Sequence, residues 1–505
     1  MLEMTGPGDT RKQSLAGLLA IACLASLAAA AQTPTPPIRL DPVNPHYFLF
    51  RGKTIALVTS GEHYGAVINR AFDYHRYLAT LAADGLNETR IFGGSYVEVP
   101  GQSFGILRND LAPAPGDFIA PWARSATPGY AGGGNKFDLN RWNPEYFRRL
   151  HDFLDEASRL GIVVEISLFS SQYGEAQWSL SPFNALNNVN GTELSDWKKV
   201  NTLDNGSILH YQEAYVRKLV HETVAFDNVI YEIQNEPWSD RPVPAGVINP
   251  YLPPPARDQF PNTVDVADQQ SLNWQLTVAG WILDAQRSRP TSHLIAECYA
   301  NFRTPTQKIL QEVQIVNFHY AWPEAVTWNY GLDKAIAYDE TGFLGPEDAA
   351  YRRQAWNFMM SGGSAFDALD YSFSPGHEDG TDTAPNGPGG GSPALRRQLG
   401  ILSEFLHGLP LEHMRPDAQT FVWASPAVAR ALSWPGHVWA AYLDGRGPAV
   451  TSFSLPAGHY AIRWISVVDG AVVAHEQLSS PGGNASVVSP AFEDGIALRL
   501  ERTGP

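Results

Sequence analysis

The stretch DNVIYEIQNEPW, residues 227–238, is an apolar strand that stops at an amide, a carboxylate and a proline. A carboxylate at the end of such a run is costly to bury unless it is hydrogen-bonded, paired or protonated. On an extended strand Glu232, Gln234 and Glu236 share one face, and Tyr231, Ile233 and Asn235 take the other. If the apolar face packs on helices, the polar face points into a barrel. Glu236 then stands at the barrel mouth, where Pro237 ends the strand and removes a donor. A second strand-end acid lies in AIAYDETGF. Asp339 and Glu340 sit at its tip, and strict alternation lets only one of them turn inward. Two acids remote in sequence that meet at one rim meet the chemical need of glycoside cleavage. One carboxylic acid protonates the leaving oxygen, and a second carboxylate attacks or activates water.

Such a pair must be carried by a regular scaffold, and an alternation of strands and helices supplies one. Apolar strand candidates are 54–60, 85–92, 161–169, 228–235, 293–299, 313–320, 334–340 and 364–371. Between most of them apolar residues recur at three- and four-residue spacing, as in NPEYFRRLHDFLDEASRL and ILHYQEAYVRKLVHETVAF. Eight such repeats predict an α/β protein, a closed (β/α)₈ TIM barrel over 46–412. The Glu236 and Glu340 strands are the fourth and seventh. Helix-to-strand links are short, whereas those near 93–142, 170–206, 236–265 and 371–393 are long. This puts the elaboration at the C-terminal ends of the strands. No Gly-rich phosphate loop follows the first strand, which argues against a doubly wound open sheet. From residue 413 the pattern changes to short period-two strands broken by WPGH, DGRG and VVDG, and a small all-β sandwich is expected over 413–505.

In these features the sequence resembles the clan-A glycoside hydrolases, retaining (β/α)₈ enzymes that include cellulases, mannanases and β-galactosidases. The resemblance covers residues 45–410 and rests on NEP closing strand four and a Glu closing strand seven. It implies that Glu236 is the general acid/base, Glu340 the nucleophile and Asn235 a ligand of the sugar 2-hydroxyl. It also implies that Arg90, in ETRIF, supports the nucleophile, and that His319 or Tyr320, in FHYAW, lies beside it. The two are adjacent here, whereas the cellulase pattern places them two apart. The Trp that commonly closes strand eight is missing, and LDYSFSPGHEDG offers Tyr371, His377 and Glu378 instead. Trp238 and Trp322 follow catalytic strands and are candidate sugar platforms, and His63, with Glu62 in SGEHYG, is a candidate for the site floor. Glu165 and Glu297 are expected as inward-facing structural acids, and Asp339 as the alternative nucleophile.

Composition limits the partners. A net charge of -16 argues against nucleic acid and is compatible with a carbohydrate. HEDG lacks ligand spacing for a metal, and no cofactor is called for. Arg11 and Lys12 before SLAGLLAIACLASLAAAAQ read as an export signal over 1–31, followed by a Pro-rich leader at 32–45. A secreted or periplasmic protein is expected, with no other membrane segment. Removing the signal leaves Cys298 as the one cysteine, so neither a disulfide within the chain nor a cysteine cluster for zinc can form. The rival readings are a non-catalytic glycan-binding protein on a barrel scaffold and a transglycosylase using the same carboxylates.

Overall fold

The computed structural model describes residues 35–257, 262–383, 387, 389–417 and 420–504. The expected export signal therefore lies outside the described residues. Eight parallel strands form the central sheet: β1 (Leu57–Val58), β2 (Glu88–Phe92), β3 (Val163–Ser170), β4 (Val229–Asn235), β5 (Ile295–Ala300), β6 (Ile315–His319), β7 (Ala335–Glu340) and β8 (Ala365–Phe366). They pair in the order β1-β8-β7-β6-β5-β4-β3-β2. A parallel bridge between Glu62 and Arg90, with Arg90 N–H donating to Gly61 O at 3.1 Å, spans the seam between the end strands. The eight expected strands and the nearly closed (β/α)₈ barrel are thus observed.

Helices α1 (Tyr74–Ala83), α2 (Pro144–Leu160), α3 (Ile208–Thr223), α4 (Gln269–Gln286), α5 (Pro323–Asn329), α6 (Asp348–Met359) and α7 (Pro393–His407) lie along the outside. Their ends follow local chemistry. Asn143 caps α2 by accepting from Glu145 N, Pro144 opens it, and Gly161 ends it in the left-handed conformation. The β5–β6 link, residues 301–314, holds no helix. Two long loops carry strands of their own: Trp122–Pro128 with Asn135–Trp142, and Pro242–Val247 with Thr263–Ala267.

The barrel interior changes character along its axis. At the N-terminal end Leu57, Val163, Ile230, Ala296, Ile315, Ala335 and Ala365 pack on Ile38, Phe48 and Phe50. The last two belong to a three-stranded antiparallel sheet, Arg39–Leu40, Phe48–Phe50 and Lys53–Ile55, which plugs this end. The expected first strand is therefore divided, its start serving the plug and only Leu57–Val58 the barrel. Two residues further up β3, β4, β6 and β8 the inward positions turn polar, with Glu165, Glu232, Asn317 and Asp367 all buried.

The C-terminal residues form two antiparallel sheets, of six strands and of three. Trp439, Phe453, Tyr460, Trp464 and Leu498 fill the space between them. The outer face of the larger sheet packs on the barrel. Tyr442 stacks on Trp356 of α6 with ring centres 5.4 Å apart, and Arg353 pairs with Asp444 at 2.8 Å. No helix among the described residues is long and apolar enough to cross a membrane.

Candidate active site

The strand ends depart from regular alternation, and the departures build the site. Glu236, Tyr320, Tyr173 and Phe343 all have positive φ, at 46°, 48°, 59° and 62°. A non-glycine residue held there costs ~1–3 kcal/mol and persists only where its surroundings fix it. At β4 the left-handed turn brings Asn235 and Glu236 to the same side, although alternation assigns them to opposite faces. At β7 the register with β6 shifts between the pairs Phe318–Tyr338 and His319–Glu340. The expectation that only one of Asp339 and Glu340 turns inward is thereby overturned. Asp339 lies 3.4 Å and Glu340 3.5 Å from the Arg90 guanidinium. The left-handed Tyr320 likewise lets both it and the adjacent His319 reach Glu340.

Glu340 accepts from the Tyr320 hydroxyl at 2.6 Å on Oε1 and from Tyr64 at 2.5 Å on Oε2. Glu236 accepts from the Tyr173 hydroxyl at 2.9 Å on Oε2. His319 Nδ1 joins the two acids, 2.9 Å from Glu236 Oε1 and 3.4 Å from Glu340 Oε1. An oxygen of Glu236 and an oxygen of Glu340 lie within 4.8 Å of each other. Arg90, fully buried, holds both oxygens of Glu232 and Asn235 Oδ1 at 2.7 Å and Glu62 at 3.1 Å. Asn235 Nδ2 in turn donates to Tyr173 at 2.8 Å.

Electrostatics separate these groups. Burial alone would raise the Glu340 carboxyl, but the positive charges of His319 and Arg90 and the Tyr320 hydroxyl bring it down to about 2. It is ionised at neutral pH. Burial alone would strip the His319 proton, but the Cys298 sulfur and the carboxylates of Glu340 and Asp339 hold it as an imidazolium. Desolvation pushes the carboxyls of Glu62, Glu88, Glu165 and Asp367 well above their ordinary range. The signs define a test. The folded His319 value is raised, so its charge-linked stabilisation is complete below the unfolded value of ~6.5 and is lost as pH rises through the folded one. The gap in melting temperature between the wild type and His319→Gln should be widest in mild acid and narrow toward alkaline pH. A gap that widens with pH would contradict this assignment.

A cavity opens above the pair. Glu236, Glu340, Asn235, Tyr320, Tyr371 and His63 line it, whereas Asp339 does not. Arg90 and His319 lie beneath. Trp238 is buried edge-on to His319 at 5.3 Å between ring centres and does not face the cavity. Trp322 is 44% exposed beyond β6, near Arg303 and outside the cavity wall. His377 is exposed, and Glu378 accepts from the Asp73 and Gly376 amides, gluing a turn away from the cavity. Glu165 faces inward and accepts from the Asn317 amide at 2.7 Å, as expected. Glu297 faces the other way, accepting from Leu310 N at 3.2 Å, because its neighbours Ala296 and Cys298 hold the inward positions. Tyr64, Tyr173 and Glu98 also line the cavity and escaped the sequence reading, since each sits in an irregular loop whose path no periodicity reveals.

No family model and no curated protein matches the chain. Solved structures do. A "Glycoside hydrolase" superposes with a TM-score of 0.59 at 11% identity, over 93% of this chain and 97% of its own. A family 5 glycoside hydrolase from Bacteroides vulgatus gives 0.57 at 12%, over 92% and 93%. A candidate glycoside hydrolase from the same organism gives 0.60 at 12%, over 93% and 83%. At these identities the likeness establishes the fold alone, a (β/α)₈ barrel with an additional β region.

Proposed function

We propose that the protein is a retaining glycoside hydrolase that cleaves β-glycosidic bonds by double displacement. The observation that carries this reading is the carboxylate pair. An oxygen of Glu236 and one of Glu340 come within 4.8 Å over a single cavity. Retaining enzymes hold their carboxyls about 5–5.5 Å apart, whereas inverting ones need about 6.5–9.5 Å to admit a water between the general base and the sugar.

On this reading the ionised Glu340, aimed by Tyr64 and Tyr320, attacks the anomeric carbon. Glu236 gives its proton to the departing oxygen. Water then enters on the Glu236 side, loses a proton to that carboxylate and displaces Glu340 from the sugar. His319, hydrogen-bonded to Glu236 and close to Glu340, fixes the position of one acid and favours the ionised form of the other. Asn235, held by Arg90 and Tyr173, is placed to meet a sugar hydroxyl. Residues 46–412 would carry the chemistry, 413–505 an accessory role, and 1–31 export to the periplasm or medium.

The test is stereochemical. Proton NMR of the first-formed sugar released from an aryl β-glycoside should show the β anomer before mutarotation. First appearance of the α anomer would exclude double displacement.

A further inference from the structure

The cavity wall is lopsided. From β4, β5 and β6 only Asn235, Glu236 and Tyr320 reach it, whereas the loops after β1, β2 and β8 supply most of the rest. The β2 loop is a firm part of that wall. Its ends are tied by Glu98 N–H donating to Leu111 O at 3.0 Å. The Asp110 backbone is seated against Gly65, where an added Cβ would lie 2.0 Å from Asp110 O, and Asn69 Nδ2 donates to that carbonyl at 2.9 Å. Across the mouth, Arg108 of this loop grips Asp382 of the β8 loop with two hydrogen bonds, at 2.6 and 2.5 Å. Ser374 donates to the same carboxylate at 2.7 Å. The wall is acidic. Glu62, Glu98, Asp110 and Asp370 line it together with the catalytic pair; Asp370 is paired with the buried Arg396 at 2.9 Å, His63 faces Asp110 at 3.3 Å and Arg108 is engaged by Asp382.

The direction of the reaction turns this shape into a specificity. The nucleophile meets the glycone and the acid meets the leaving group, so the glycone lies on the Glu340 side. In the sheet β7 is followed by β8 and β1, and the closed wall stands there. Resting on the glycosidase reading above, we propose that the enzyme is exo-acting and removes a single uncharged sugar from the non-reducing end of its substrate. The Arg108–Asp382 clasp blocks a longer glycone, and the acidic wall turns away uronic acids. Glu98, which burial holds up to about 7 against the pull of Asn109, is placed to exchange hydrogen bonds with sugar hydroxyls.

The probes are 4-nitrophenyl β-glycosides of glucose, galactose, mannose, xylose and glucuronic acid, with the cello-, manno- and xylobiosyl counterparts. Cleavage of at least one neutral monosaccharide glycoside, with the glucuronide slower by on the order of 100-fold, is expected. Asp382→Ala should keep that activity and raise direct nitrophenol release from a biosyl glycoside relative to it. Cleavage restricted to biosyl glycosides, or a preferred glucuronide, would overturn the proposal while leaving the glycosidase intact. An unchanged ratio in Asp382→Ala would remove the clasp as the barrier. No hydrolysis of any glycoside would overturn the parent reading itself.

Discussion

Replacing Glu340 by Gln is expected to bring turnover to background. The loss should exceed the ~10²–10⁴-fold that removal of a general acid or base costs, because no bond to the sugar can then form. Gln keeps the volume, offers an oxygen to one of Tyr64 and Tyr320 and an N–H to the hydroxyl oxygen of the other, so the fold should survive, and circular dichroism and the unfolding midpoint should report this. The smaller Glu340→Gly leaves space at the anomeric carbon. Added azide should then restore release of a good leaving group and yield a glycosyl azide of inverted configuration. Full activity in Glu340→Gln would refute the assignment and shift attention to Asp339, one residue away and also inward but outside the cavity wall.

Replacing Arg90 by Met should have the largest effect on stability. The guanidinium is the shared partner of Glu62, Glu232, Asp339 and Glu340, and its side chain is 1% exposed. Removing one partner of a buried ion pair costs ~3–5 kcal/mol, because a charge is left buried without compensation. Carboxylates can escape part of that cost by taking up protons, so the deficit should be larger at pH 7 than in mild acid. Lysine should not restore the wild type, since a single ammonium cannot serve Glu232, Glu62 and Asn235 at once. Urea unfolding at both pH values measures this, and a deficit below ~1 kcal/mol at pH 7 would contradict the role given to Arg90.

Much of this arrangement is legible in the chain. The eight strands and the polar inward face of β4 follow from period-two and period-3.6 patterns, because burial imposes them along whole segments. The meeting of Glu236 and Glu340 follows from the strand count. What the patterns miss lies at single residues. The left-handed turns at Glu236 and Tyr320 and the register shift before Glu340 break the alternation on which the face assignments rest. Alternation puts Asn235 on the outward face and lets only one of Asp339 and Glu340 turn inward, and both expectations fail at these breaks. Tyr64 and Tyr173 reach the acids from loops, where contacts depend on the folded path and leave no periodic trace. His377 and Glu378 show the converse: residue types suited to chemistry, in a loop that serves as a turn.

The central claim is that Glu340 becomes covalently bonded to the sugar. A 2-deoxy-2-fluoro glycoside with a dinitrophenyl leaving group tests this directly. The fluorine slows both oxocarbenium-like steps, and the good leaving group restores only the first, so the intermediate accumulates. Peptide mass spectrometry should then find one fluoroglycosyl group on the peptide containing AIAYDETGF, with fragmentation placing it on Glu340. An adduct on Asp339 or on another peptide, or hydrolysis that proceeds with no adduct at all, would contradict the account.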